Sequence, residues 1–130
     1  METDNLMLGD WIMDYNGTKG IIERLDSSGV EILIDDDIIS KRKVLKYSEI
    51  EPISLSEYIL FKNNFPQHSE KCWTIKDFIL KKVNDAWFIY RSDYDMKYNY
   101  KICVVSYVHE LQKFLRLINN IDDANIFKIK

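Results

Sequence analysis

Residues 106–118 constrain this chain more than any other stretch. Val108, Leu111, Leu115 and Ile118 recur at helical spacing, and Tyr107 and Phe114 widen the apolar stripe. A helix patterned this way is stable only when its apolar face lies on another layer. Ser106 is a fitting N-cap, and Asn119-Asn120 marks the end. The strand-like segments that precede the helix make a sheet the expected layer, in the second half of the chain.

The first half is cut into short pieces by turn residues. Residues 6–15 carry a Gly9-Asp10-Trp11 step and lead into Asn16-Gly17, a hairpin signal. Residues 20–25 form a second strand pattern, and Asp26-Ser27-Ser28-Gly29 reads as a turn. Val30, Ile32 and Ile34 then alternate with Glu31 and Leu33 until Asp35-Asp36-Asp37 breaks the run. Residues 44–47 and 50–53 complete the set, with Pro52 marking an edge or an exit. Strands this short and closely spaced predict a small curled sheet, and an SH3-like β-barrel is expected over residues 1–53.

Ser54 and Glu57 match a capping box, so a helix is expected from there to about Asn63, docked by Leu55, Ile59 and Phe61. Residues 66–71 read as a polar loop. Strands are predicted over 72–83, 86–91 and 98–105, with Asn84-Asp85 as a hairpin turn and Tyr98, Tyr100, Ile102 and Val104 on one face. The amphipathic helix follows, and 126–129 could add a short strand. The expected fold is therefore α+β. An N-terminal SH3-like barrel (1–53) packs against an α+β part (54–130) made of an antiparallel sheet and the C-terminal helix.

Three segments carry a resemblance. They are Leu6-Met7-Leu8-Gly9-Asp10-Trp11-Ile12, Ile50-Glu51-Pro52-Ile53-Ser54-Leu55-Ser56 with Asn64-Phe65 beyond the helix, and Tyr107-Val108-His109-Glu110-Leu111-Gln112. In this order the chain resembles a group of small uncharacterised proteins common in Bacteroidales genomes and their prophage-like elements. The resemblance implies the layout and a bacterial origin. It implies no activity.

Charge narrows the partners. The 130-residue chain has a net charge of −3. Its first 53 residues carry 12 acidic and 6 basic side chains, and the remainder 9 and 12. An acidic whole is a poor nonspecific binder of nucleic acid, because such affinity comes from neutralised phosphates. A local basic face in the second part remains open. The polar, acidic start lacks the features of a secretory signal, and no run approaches the roughly 18 apolar residues of a membrane helix. Cys72 and Cys103 are too few for a disulfide framework, so a reduced, cytoplasmic protein without a membrane partner is expected.

Chemistry-bearing patterns fail one by one. His109-Glu110 begins like a zinc-protease helix, but the second histidine would fall at Lys113. His68, Cys72, Cys103 and His109 have no familiar zinc spacing. Cys103 and His109 could approach, yet no orienting group or oxyanion donor is evident. Asp35-Asp36-Asp37 lacks alternating ligands and a glycine, and Lys41-Arg42-Lys43 competes for its carboxylates. No catalytic residue, metal ligand or cofactor is expected, and the chain is read as non-enzymatic.

The tyrosines are the stronger lead. Tyr90, Tyr94, Tyr98 and Tyr100 crowd one hairpin and interleave with Arg91, Lys97 and Lys101. Such a mixture suits a protein interface, and it also suits stacked bases with paired phosphates. Ordinary cross-strand packing would use the same residues. The expected function is a binding or adaptor protein of a bacterial mobile element, with a protein partner first and a nucleic acid second. The tyrosine hairpin and His109 are the candidate contact residues. Trp11, Trp73 and Trp87 are expected in the core.

Overall fold

The structure, a computed structural model, describes residues 6–35, 40–92 and 99–118. It is α+β, built mainly from two antiparallel sheets. The chain divides into two compact units, and the second interrupts the first. The first takes the described residues up to Ser54 and those from Tyr107 onward; the second takes Leu55–Ser106.

In the first unit, β1 (Trp11–Asp14), β2 (Lys19–Leu25), β3 (Val30–Asp35) and β4 (Ser40–Leu45) form a meander. A 3-10 turn at Tyr47–Glu49 then feeds the short β5 (Ile50–Glu51), which returns beside β1. The sheet order is β4-β3-β2-β1-β5, and among the described residues it runs between these edges without closing. Leu6, Ile12, Ile22, Val30, Ile32, Leu45 and Ile50 form its core, because alternation turns the apolar position of each strand to one side. Asp14 ties the β1–β2 turn: its carboxylate accepts from the amides of Asn16 and Thr18, and Gly17 takes the left-handed backbone the turn requires. Lys43 closes the other carboxylate oxygen at 2.7 Å, and this bond holds the Asp14 pKa below its ordinary range.

The predicted C-terminal helix is α2 (Val108–Leu117). It belongs to the first unit, not the second where the sequence reading placed it. Hydrophobic periodicity shows that a helix needs a sheet and does not say which one. Val108, Leu111, Phe114 and Leu115 are buried. The N-cap is Tyr107 rather than Ser106, and Glu110 accepts from the Tyr107 amide at 3.0 Å.

In the second unit, α1 (Glu57–Lys62) starts at Ser56, whose hydroxyl accepts from the Ile59 amide; the expected cap at Ser54 lies two residues too early. Ile59 and Leu60 are buried, while Phe61, expected to dock the helix, is 76% exposed. The sheet contains β6 (Gln67–Ser69), β7 (Cys72–Ile75), β8 (Phe78–Val83), β9 (Ala86–Ser92) and β10 (Asn99–Val105), in the order β10-β9-β8-β7-β6. The expected long strand over 72–83 is two strands, folded at Lys76, which adopts φ 52°. The expected loop at 66–71 contains β6. Trp73 and Trp87 meet at 5.4 Å in the core, and the Trp87 indole donates to the Leu55 carbonyl. The expected strand at 126–129 lies outside the described residues.

Candidate functional site

The register of the second sheet sorts its side chains onto two faces. Leu80 pairs with Ile89 and Lys82 with Trp87, and Leu80, Ile89 and Trp87 are buried on the inward face. The intervening positions take the other face: Ile79, itself buried, opposite Tyr90, and the exposed Lys81 opposite Phe88. On the other side of β9, Lys101 pairs with Tyr90 and Val104 with Phe88. The outward face thus carries two aromatics two residues apart on β9, with a lysine on each flanking strand.

These groups touch. The rings of Phe88 and Tyr90 lie 6.4 Å apart with a 38° tilt. The Lys101 ammonium sits 4.3 Å from the Phe88 centroid, a cation–π distance. Phe88 and Tyr90 are half-buried, Lys81 and Lys101 are exposed, and Val104 is 42% exposed. No carboxylate falls among the outward positions paired here.

The predicted contact residues therefore scatter. Tyr90 and Lys101 meet on this face. Arg91 is exposed but pairs with Phe78, in the alternate register. Only the backbone of Tyr100 is described, and Tyr94, Lys97 and Tyr98 lie outside the described residues, as do Asp36 and Asp37. The pairing slips by one residue between Lys101 and Cys103, so simple alternation from Tyr100 to Val104 does not hold. Sequence reasoning missed Phe88 and Lys81. Phe88 stands two residues before Tyr90 on the same strand, whereas Lys81 joins the face only through the pairing of β8 with β9.

His109 lies in the first unit, within a polar cluster. Asp10 and Gln112 are buried in the loop before β1 and on α2. The Gln112 side chain accepts from the Trp11 amide at 2.9 Å and donates to the Gly9 carbonyl at 2.8 Å. Arg116 reaches Asp10 at 2.5 Å and the Leu8 carbonyl at 3.2 Å. Burial pushes the Asp10 carboxyl above its ordinary pKa, against the opposing pull of Arg116. His109 is 9% exposed and stacks on Tyr107 at 5.9 Å. Its buried Nδ1 has no hydrogen-bond partner among the described residues. Burial lowers its pKa, while Asp10 and Glu110 raise it. This cluster fastens α2 to the start of β1. The missed signal was Gln112, a polar residue inside the apolar stripe.

Among the described residues no group of three or more His, Cys, Asp or Glu side chains converges to hold a metal ion. Cys72 and Cys103 are free thiols. No described helix is long and apolar enough to cross a membrane. The fold and site define a two-unit α+β protein with an aromatic, cationic sheet face. No protein-family model, curated protein or solved structure matches the chain.

Proposed function

We propose that this protein is a non-catalytic binding module whose contact surface is the outward face of its second sheet. The observation that carries the reading is the half-buried Phe88–Tyr90 pair flanked by Lys81 and Lys101. Aromatic rings with partly open faces supply contact area at low entropic cost, and exposed lysines orient an anionic partner. The first unit is, on this reading, an SH3-like scaffold. Its four-strand meander, 3-10 turn and final strand beside β1 support that reading. A cytoplasmic setting and an origin in a bacterial mobile element belong to the same proposal.

The test is a photo-crosslinker. Tyr90→p-benzoylphenylalanine in cells that naturally make the protein is expected to give one dominant adduct. The same group at Tyr15, 68% exposed in the first unit, is expected to give none. Equal labelling at both positions would overturn the binding-face reading.

A further inference from the structure

The charge and geometry of the outward face narrow its ligand. Residues 55–106 contain eight basic and six acidic side chains, whereas 1–53 contain six and twelve. The face itself pairs two lysines with two rings and, among its described positions, no carboxylate. An anion is the complementary partner. Two cations release few counterions, so they cannot hold duplex DNA by phosphate contacts alone. A duplex also keeps its base faces stacked inside. An unpaired strand offers both the phosphates and the flat rings that aromatic platforms take.

We propose that this face binds single-stranded nucleic acid, with neighbouring bases on Phe88 and Tyr90 and backbone phosphates at Lys81 and Lys101. This deepens the binding-face reading and rests on it. The rings occupy successive same-face positions of β9, and the lysines stand on β8 and β10, one to each side. The Lys101 ammonium already lies over Phe88. A base seated on that ring would displace it toward the phosphate.

The experiment is fluorescence anisotropy of full-length protein with a fluorescein-labelled ten-nucleotide oligouridine, its oligothymidine counterpart and a duplex of the same length. Both single strands are expected to bind more tightly than the duplex. The slope of log K against log salt should be about −1.4 for two neutralised phosphates, falling to about −0.7 in Lys101→Gln. Tyr90→Ala should weaken binding by about ten-fold, and Phe88→Leu by a similar factor. Far-UV circular dichroism checks that each variant is folded. If Phe88→Leu unfolds, the surface changes Tyr90→Ala and Lys101→Gln decide the matter. Absent binding of both single strands, or binding unchanged by Tyr90→Ala and Lys101→Gln, would overturn the proposal. A protease-sensitive, nuclease-resistant adduct at position 90 would then retain the binding face and assign it a protein. No adduct at all would remove both readings.

Discussion

Gln112 satisfies two backbone groups at once. From inside a mainly apolar helix face, it takes the Trp11 N–H and gives to the Gly9 carbonyl. Replacing it by leucine keeps most of the volume and leaves the buried Trp11 amide and the part-buried Gly9 carbonyl without that bond. Gln112→Leu is expected to cost about 2–4 kcal/mol, read from urea denaturation. A loss under 0.5 kcal/mol would mean the bonds are dispensable. His109 yields a pH dependence. The buried imidazole has a pKa below 6.5, so the unfolded chain takes up its proton first as pH falls. Its contribution is complete above pH 6.5 and declines below it. Asp10 has the opposite sign: its raised pKa lets the native state protonate before the unfolded one, so acidification through that raised value adds stability. The two groups oppose each other in acid, and a His109 variant separates them. Between pH 7.5 and 5.5 the wild-type urea midpoint should drop, and His109→Phe, which keeps a ring against Tyr107, should flatten that drop. An unchanged drop in the variant would assign the effect elsewhere.

At the scale of elements, the turn before β3 depends on a close approach. A Cβ on Gly29 would overlap the Leu45 carbonyl oxygen, which is backbone and has little room to yield. Gly29→Ala is expected to destabilise the first sheet by about 1–3 kcal/mol, measured by thermal or chemical unfolding. Full stability in that variant would show that β4 can shift away. These same elements show what was legible beforehand. Val30, Ile32 and Ile34 alternate visibly, and the apolar stripe of α2 is plain in the sequence, because both are local periodicities. The fold at Lys76 was hidden, since lysine in a left-handed backbone gives no turn signal. The register slip after Lys101 was hidden too, because a bulge is set by pairing with β9 rather than by the strand's own residues. The outward face was half legible. Tyr90 and Lys101 were found by composition, whereas Phe88 and Lys81 needed the pairing of three strands to join them.

For the whole molecule, the consequential fact is that one unit is inserted into the other. The first unit is discontinuous in sequence, and within it Ser54 forms a bridge with Tyr107 while the Val108 amide donates to the Ile53 carbonyl at 2.8 Å. Within the second unit, the Leu55 amide donates to the Ser106 carbonyl at 3.0 Å. Each unit thus brings its own two chain crossings side by side, an arrangement suited to insertion because few bonds must break to separate the ends. It also means that residues 1–54 alone lack the helix that buries Val108, Leu111, Phe114 and Leu115 and supplies Gln112 and Arg116. Each buried aliphatic or aromatic residue contributes about 1.5–3 kcal/mol, comparable with the margin of a small domain. A fragment ending at Ser54 is therefore expected to lack cooperative unfolding. A chain joining Ser54 to Tyr107 through a short glycine-rich linker, and continuing to the C-terminus, should regain it with dispersed amide resonances. Separate failure of the linked chain would show that the inserted unit is needed for the first to fold. Cooperative folding of 1–54 by itself would show that α2 is an accessory to the sheet rather than part of its core.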